Sequence, residues 1–341
     1  MNITRVSVDS AGNQGNQGLY SFTSPSISPD GRFVAFHSSA SNLVPGDTNN
    51  NSDIFVRDTL TNTTTRVSVD SAGNQANAGS FDPSTSTDGR FVAFVSDASN
   101  LVPGDTNDAN DIFVRDTLTN TTTRVSVDSA GNQTDKEGYN YSSSPSISAD
   151  GRFVAFRSYA SNLVPGDTND KSDIFVRDTL TNTTTRVSVD SAGNQANNAF
   201  VSVGRLSLSG SSSPSISADG RFVAFDSYAT NLVPEDTNNA DDIFVRDILT
   251  NTTIRVSVDS AGNQGNSTSF EPSISANGRF VAFRSDATNL VPGDTNNIDD
   301  IFVRDILTNT IIRVSVDSAG NQGNSTSFEP SISANGRFVA F

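Results

Sequence analysis

The chain has 341 residues, with 38 acidic and 22 basic side chains, a formal net charge of -16, no Cys and one His. The absence of Cys excludes disulfides, cysteine-ligated zinc and cysteine nucleophiles. The acidity excludes the usual nucleic-acid-binding proteins, which neutralise phosphates with a basic face. We therefore expect no nucleic-acid partner, and cations or basic surfaces instead.

The chain carries no sign of membrane insertion. No stretch approaches the roughly 18 consecutive apolar residues of a membrane-spanning helix, and the residues that follow Met1 lack the apolar segment of a signal peptide. Only two Lys are present, Lys136 and Lys171, whereas Asn, Thr and Asp are abundant. This composition favours a bacterial exported protein, located in the periplasm, at the cell surface or outside the cell.

One repeat recurs along the whole chain, with a spacing of 58 to 69 residues. The string GRFVAF begins at Gly31, Gly89, Gly151, Gly220, Gly278 and Gly336. The string DIFVRD begins at Asp53, Asp111, Asp173, Asp242 and Asp300. The length alone is compatible with one ring-like domain or two ordinary domains. Because the repeat continues throughout, we expect a single domain over residues 1–341.

Each repeat predicts four strands, which in the first repeat are Pro25–Ser28, Arg32–Phe36, Asp53–Asp58 and Thr65–Asp70. An Asp-Gly pair joins the first two strands, and Asp-Gly is a strong hairpin signal because both residues tolerate positive φ. A Thr- and Asn-rich turn joins the last two. Each repeat is therefore expected to form a four-stranded antiparallel sheet.

The apolar pattern orders these strands. The second and third are apolar on both faces and must be buried between layers, whereas the fourth alternates, with Val67 and Val69 on one face. A sheet with a small inner strand, two buried strands and a polar outer strand, repeated radially, is a propeller blade. A β-helix solenoid is the alternative, but its coils are much shorter than this repeat.

The segment SPSISPDGRFVAF, followed by DIFVRD, resembles the WD40-like, TolB-type β-propeller repeat family. The resemblance covers essentially the whole chain and implies an all-β propeller of about six blades. Propellers of this type also occur beside hydrolase domains in prolyl oligopeptidase-like enzymes, but these 341 residues contain no such domain.

The last blade is expected to be incomplete. The chain begins inside a fourth strand, Thr4–Asp9, and stops at Phe341 at the end of a second strand, which leaves 23 strands. The N-terminal strand is expected to close the ring with the C-terminal strands. Either the natural chain continues, or the last blade is defective, or another molecule fills the gap, which includes self-association through the incomplete blade.

Strand alternation places the long loops after the second and fourth strands on one face of the ring. The loops after the fourth strand differ most between repeats, and constant scaffolds with variable loops often bind ligands. Candidate ligand-binding residues are Tyr139, Tyr141, Phe200 and Arg205, because exposed aromatic and Arg side chains dominate binding hot spots. The expected partner is a protein or carbohydrate; the alternative is neutral drift in tolerant loops.

The loop after the second strand suggests a calcium site. Its consensus, NLVPGDTNxxxDIF, spaces oxygen ligands as short calcium loops do. The candidate metal ligands are Asp47, Asn49, Asp53, Asp105, Asn107, Asp111, Asp167, Asn169, Asp173, Asp236, Asn238, Asp242, Asp294, Asn296 and Asp300. The alternative is that these side chains order the loop and cap the third strand.

Arg32, Arg57 and Arg66, with their copies, account for 17 of the 20 arginines. They form either a ring of anion-binding groups or structural pairs with Asp30 or Asp58. His37 is expected to be exposed in a loop, and no catalytic site can be singled out. The sequence therefore predicts a non-catalytic binding or scaffold module stabilised by calcium; the alternatives are a lyase or hydrolase acting in the central funnel, or part of a larger enzyme or assembly.

Overall fold

The computed structural model describes residues 3–17, 25–135, 141–197 and 210–341. Within these ranges the chain forms 22 β-strands and no helix, arranged as five four-stranded sheets and one two-stranded sheet. The chain divides into two compact units. The first comprises Met1–Pro165 and Arg177–Thr184, and the second comprises Gly166–Val176 and Thr185–Phe341. A single domain over residues 1–341 stays a prediction.

The strands of every four-stranded sheet lie side by side in chain order. The first sheet contains β1 (Ser26–Ile27), β2 (Phe33–Ser38), β3 (Asp53–Asp58) and β4 (Thr63–Arg66). The second contains β5 (Ser80–Thr85), β6 (Phe91–Ser96), β7 (Asp111–Asp116) and β8 (Thr121–Arg124). The third contains β9 (Ser142–Ile147), β10 (Phe153–Ser158), β11 (Asp173–Asp178) and β12 (Thr183–Arg186).

The remaining sheets follow the same pattern. The fourth contains β13 (Ser211–Ile216), β14 (Phe222–Ser227), β15 (Asp242–Asp247) and β16 (Thr252–Arg255). The fifth contains β17 (Ser269–Ile274), β18 (Phe280–Ser285), β19 (Asp300–Asp305) and β20 (Thr310–Arg313). The last contains only β21 (Ser331–Ile332) and β22 (Val339–Ala340). The predicted four-stranded blades, with an incomplete last one, are confirmed.

The turn between the first two strands is longer than a two-residue Asp-Gly hairpin with two left-handed residues, because the amide of Ser28 bonds to the carbonyl of Phe33. The amide of Gly31 donates to the carbonyl of Ser28 at 2.8 Å, and Gly31 alone takes a positive φ of 73°. Asp30 accepts hydrogen bonds from the Ser28 hydroxyl and the Arg32 amide instead. The loop is therefore built on a β-turn with glycine at its end, a common hairpin connection.

The core lies between successive sheets. Phe36 of β2 and Phe55 of β3 stack with ring centroids 5.9 Å apart, and both are buried. Ile54 of the first sheet packs in one cluster with Phe94 and Phe113 of the second. The predicted burial of the second and third strands on both faces is confirmed, because FVAF and IFV contain no polar side chain that must reach water.

The first strands of the second to fifth sheets are longer than the predicted four residues and irregular, whereas β1 and β21 each have two residues. β5 starts before the Pro that was expected to bound it, and its pairing with β6 shifts between Phe81 and Ser84. Asp82 lies within this bulge with a positive φ of 50°. A bulge bends a strand and redirects the side chains near it.

The fourth strand was placed too late along the chain. β4 ends at Arg66, and Val67 and Ser68 still form hydrogen bonds with β3, whereas the residues after them contact the next sheet. The carbonyl of Val69 accepts a hydrogen bond from the hydroxyl of Thr122, and the carbonyl of Asp70 accepts one from Arg115 at 3.0 Å. This post-strand segment joins consecutive sheets rather than extending its own.

The N-terminal segment shows the same behaviour. Thr4–Asp9, predicted as a strand, contains only an isolated bridge between Val8 and Gln14. The Val8 carbonyl accepts a hydrogen bond from the hydroxyl of Thr64 at 2.6 Å, and the Asp9 carbonyl accepts one from Arg57 at 3.0 Å. The prediction of a strand was wrong because this copy of the sequence is a post-strand segment. Ring closure by this segment stays a prediction.

Candidate functional site

The candidate calcium residues of the first repeat lie together at the start of β3. Asp53 is fully buried, and its Oδ1 accepts a hydrogen bond from the Ser68 hydroxyl at 2.5 Å. Its Oδ2 accepts one from the side-chain nitrogen of Asn49 at 3.0 Å. The amide nitrogen of Asn49, rather than its oxygen, therefore faces the carboxylate.

An arginine occupies the position between the two aspartates. A terminal guanidinium nitrogen of Arg66 lies 3.2 Å from Oδ1 of Asp47 and 3.4 Å from Oδ2 of Asp53. The corresponding distances in the other four sets fall between 3.0 and 3.6 Å. Those sets are Asp105–Arg124–Asp111, Asp167–Arg186–Asp173, Asp236–Arg255–Asp242 and Asp294–Arg313–Asp300. The sequence analysis considered Arg66 as a partner of Asp30 or Asp58 and missed its pairing with Asp47 and Asp53, although its fixed spacing after each DIFVRD string was a usable signal.

Burial dominates the electrostatics of these loops. It raises the pKa of Asp47, with a smaller contribution from the nearby Asp53, and raises the pKa of Asp167 to about 6. Within the described ranges no group of three or more His, Cys, Asp or Glu could hold a metal ion. The donors as arranged do not fit a calcium ion, because Arg66 and the Asn49 amide nitrogen face the carboxylates. Calcium binding stays a prediction.

The other repeated arginines also serve the scaffold. Arg32 binds Asp58 through two nitrogens, at 3.1 and 2.8 Å, and lies 4.6 Å from the centroid of the Phe33 ring. Arg57 donates to the carbonyl and side chain of Asn62. Structural pairing with Asp58 is confirmed, whereas Asp30 caps the turn instead.

The prediction of an exposed His37 was wrong. His37 is the fifth residue of β2, is 5% exposed, and meets the Phe81 ring edge to face at a centroid distance of 6.1 Å. Burial lowers its pKa, although the nearby Asp82 carboxylate opposes this effect. The apolar run ended at Phe36, but β2 extends two residues further because β3 provides hydrogen-bonding partners up to Asp53.

The fifth residue of the second strand is where the blades differ most in chemistry. The strands read FVAFHS, FVAFVS, FVAFRS, FVAFDS and FVAFRS, so that only this position changes. We call it the variable position; its occupants are His37, Val95, Arg157, Asp226 and Arg284.

Within each unit the variable position lies at the end of the blade that carries the long loops. Ser80, the first residue of β5, pairs with Ser96, the last residue of β6, beside Val95. The loop before β5 and the loop after β6 therefore leave from the same end. The predicted sharing of one face by the two long loops agrees with this pairing.

In the third blade the variable position is part of an aromatic cluster. The rings of Tyr141 and Tyr159 have centroids 5.0 Å apart, and the guanidinium carbon of Arg157 lies 4.8 Å from the Tyr159 centroid. Arg157 also donates a hydrogen bond to the Tyr159 hydroxyl. Of the predicted ligand-binding residues only Tyr141 is described; Tyr139, Phe200 and Arg205 lie outside the described residues.

In the fourth blade the variable position is acidic. Asp226 is 3% exposed and accepts a hydrogen bond from the Ser212 hydroxyl. Burial, and then the neighbouring Asp226 and Asp242 carboxylates, raise the pKa of Asp241 to about 7. This carboxyl can therefore hold a proton near neutral pH.

In the fifth blade the variable position is occupied by an arginine whose charge is balanced by nearby carboxylates. Arg284 donates to Asp299 at 2.7 Å and lies 3.5 Å from Glu271. The hydrogen bond to Asp299 raises the pKa of Arg284. One strand position thus carries a different charge environment in each blade.

Neither a scan against protein-family models nor a search of curated proteins finds a match. Solved structures do match. A TolB-type protein from Agrobacterium tumefaciens is 16% identical, with 93% of this chain and 88% of that chain covered at a TM-score of 0.50. The β-propeller domain of the Trilobed protease from Pyrococcus furiosus is 12% identical, with 91% and 75% covered at 0.50.

These likenesses, together with the repeated four-stranded sheets, define the fold as an all-β propeller. The fold is similar to that of the TolB-type protein from Agrobacterium tumefaciens. TolB from Acinetobacter baumannii also matches, at 17% identity and a TM-score of 0.47, with 90% of this chain covered. The match spans 56% of the length of that protein. The part of the chain that the structure describes contains no helix that could cross a bilayer.

Proposed function

We propose that the chain is a non-catalytic binding module whose ligand contacts lie on the loop face, at the variable position and its neighbours. One observation carries this proposal: strands that are otherwise identical place four different residue types at the same site. A residue needed only for packing would be repeated like the FVAF residues before it. Function in such folds resides in the site rather than in the scaffold.

The expected ligand is a protein or a carbohydrate, and the proposed location is periplasmic, cell-surface or extracellular. The aromatic cluster around Tyr141 and the compensated cation at Arg284 support this proposal, because Tyr and Arg are enriched in binding hot spots. Self-association through the two-stranded last sheet stays a prediction, which light scattering would test.

A variant with a uniform loop face tests the proposal. It combines His37→Val, Arg157→Val, Asp226→Val and Arg284→Val, which introduce the residue of the second blade at every site. A panel of saccharides, amino acids and carboxylic acids is screened by thermal shift. We expect compounds that raise the melting temperature of the wild-type protein to leave that of the uniform variant unchanged.

The control carries Leu60→Thr and Leu118→Thr, since both leucines are more than two-thirds exposed in the turns between the third and fourth strands, at the opposite end of the blades. This control should respond as the wild type does. Equal responses of all three proteins to every active compound would contradict the proposal.

One observation favours an enzyme, namely the Asp241 carboxyl whose pKa is raised to about 7. Such a group can act as a general acid in a lyase or hydrolase. Incubating the wild-type protein with each compound that binds, followed by mass spectrometry, separates the two functions. Turnover that is lost in Asp241→Asn would establish the enzyme, whereas stoichiometric binding without product supports the binding module.

A further inference from the structure

Arg157 differs from the repeated arginines in how its charge is compensated. Arg32 faces Asp58, and Arg66 faces Asp47 and Asp53. In the part of the chain that the structure describes, Arg157 forms no ion pair, and its hydrogen bond goes to the neutral hydroxyl of Tyr159. Its Nε is buried and has no hydrogen-bond partner among the described residues. A guanidinium has five N–H donors, so most of its capacity is unused.

The fifth blade shows what compensates an arginine at this position. Arg284 is neutralised by Asp299, which precedes β19, and by Glu271, which lies in the bulge of β17. The residues at the corresponding sequence positions of the third blade are Ser172 and Ser144. The third blade therefore has the cation of the fifth without either carboxylate.

Aromatic side chains stand beside this cation. Tyr141 takes the sequence position that Gly79 and Gly210 occupy in neighbouring blades, and its carbonyl accepts a hydrogen bond from the Tyr159 amide at 3.4 Å. Both tyrosines are partly exposed. Their rings offer a flat apolar surface next to a donor-rich cation, an arrangement that suits a ligand with a ring and an anionic group.

We propose that Arg157, Tyr141 and Tyr159 form a site for a small carboxylate ligand that contains an aromatic ring. A carboxylate matches the forked geometry of a guanidinium, and the ring stacks on tyrosine. A small monoanion is favoured over a polyanion because the net charge of -16 repels large acidic partners. This site rests on the proposed function and specifies its ligand.

Benzoate is the probe, with benzamide as the uncharged isostere. Isothermal titration calorimetry on the full chain at pH 7 and low salt measures both affinities. We expect benzoate to bind about tenfold or more tightly than benzamide, because a charge-assisted hydrogen bond contributes roughly one such factor. Equal affinities, or no benzoate binding at all, would overturn the proposal.

Matched variants locate the site. Arg157→Gln should weaken benzoate binding about tenfold. Ser144→Glu should do the same without altering the site itself, because it introduces the carboxylate that Glu271 provides in the fifth blade. Glu is tolerated there, since Ser144 and Glu271 share a positive φ of 53° and 55°. Arg90→Gln removes an arginine that pairs with Asp116 at the opposite end of a blade, and it should leave benzoate binding unchanged.

A gain of function gives the converse test. Glu271→Ser and Asp299→Ser remove the two paired carboxylates of Arg284, and Thr268→Tyr with Asp286→Tyr removes the third nearby carboxylate and supplies both tyrosines. The variant that combines these four substitutions should bind a second benzoate. Glu137 lies outside the described residues, and Glu137→Gln should leave the affinity unchanged; a marked increase would show that Glu137 already compensates Arg157 and would overturn the proposal. If other compounds bind wild type but not the uniform variant while benzoate fails, the carboxylate site is wrong and the binding module stands.

Discussion

Arg66 lies 3.2 Å from the Asp47 carboxylate, at the centre of the loop whose oxygens suggested calcium. A cation is therefore already present, as part of the chain. We expect the melting temperature after chelation to be unchanged by millimolar calcium, because binding at any one loop would require displacing the arginine of that loop. Differential scanning calorimetry checks this, and a rise of several degrees would establish calcium binding.

Removing one of these arginines should destabilise the fold, because two buried carboxylates then lose their counter-ion. Arg124→Gln leaves Asp105 and Asp111 without their counter-ion. Breaking a buried ion pair costs about 3–5 kcal/mol, so the free energy of unfolding should fall by a large part of this amount. The matched control is Arg90→Gln, whose side chain is 37% exposed and whose loss should cost much less because solvent screens the pair. Equal losses in urea titrations would contradict this assignment.

Ser126 is expected to be a stability determinant despite its small size. It is fully buried, its hydroxyl donates to Asp111 at 2.5 Å, and it accepts a hydrogen bond from the Ile112 amide at 3.0 Å. Ser126→Ala removes both hydrogen bonds and leaves the buried Ile112 amide and one oxygen of Asp111 without this partner, so it should cost about 2–3 kcal/mol. Ser99→Ala removes an exposed hydrogen bond to Asn77 and should cost about 0.5 kcal/mol or less. Urea unfolding of the two variants measures the difference.

Two glycines separate backbone strain from steric overlap. Gly89 has a φ of 69°, and an added Cβ would lie 2.2 Å from the Phe33 ring. Gly104 has a φ of 75° with no atom within 4 Å of an added Cβ. Gly104→Ala should cost about 1–2 kcal/mol for the left-handed conformation, and Gly89→Ala should add about 1–3 kcal/mol for overpacking. Equal thermal destabilisation would show that Phe33 moves freely aside.

The pH dependence of stability should reflect the outer Arg–Asp pairs. Hydrogen bonding to Arg32 holds the pKa of Asp58 well below its usual range, and equivalent arginines act on Asp116, Asp178, Asp247 and Asp305. Since the folded-state pKa is below the unfolded value, this stabilisation is present above about pH 4 and is lost as the pH falls further.

Buried carboxyls such as Asp167 act in the opposite direction. Its pKa is raised to about 6, which means that the ionised carboxylate destabilises the folded state at pH 7. This destabilisation is relieved as the carboxyl takes up a proton between pH 7 and 5. The melting temperature at constant ionic strength should therefore hold or rise slightly between pH 7 and 5 and drop below about pH 4. A steady decline from pH 7 would argue against both assignments. Asp116→Asn should reduce the acid-induced drop.

The sequence allowed the sheets and their strand order to be predicted, because apolar runs and turn residues report local structure directly. The fourth strand was misplaced because Val67 and Val69 alternate as a strand would, although their partners belong partly to the next sheet. That exchange of partners is a tertiary effect. His37 was misjudged for a related reason, since pairing with β3 extends β2 beyond its apolar run.

The site was predictable only in part. Tyr141 was identified from its place in a divergent loop, and it does lie in an aromatic cluster. Its partners Arg157 and Tyr159 were missed because they are distant in sequence and become neighbours through the pairing of β9 with β10. The pairing of Arg66 with Asp47 and Asp53 was missed because the spacing of the loop oxygens predicts that they lie close together but does not identify the cation that they bind.

The contact of Val69 with Thr122 means that the sequence repeat and the sheet are out of phase. Each duplicated copy of the repeat carries, after its fourth strand, the carbonyl groups that bind the next sheet. Duplication of one repeat can therefore add a blade without the evolution of a new interface between sheets. Substitutions at the variable position of the added blade do not affect that interface. Near-identical strands that differ at the variable position, joined by loops that also differ, are the outcome expected of such growth.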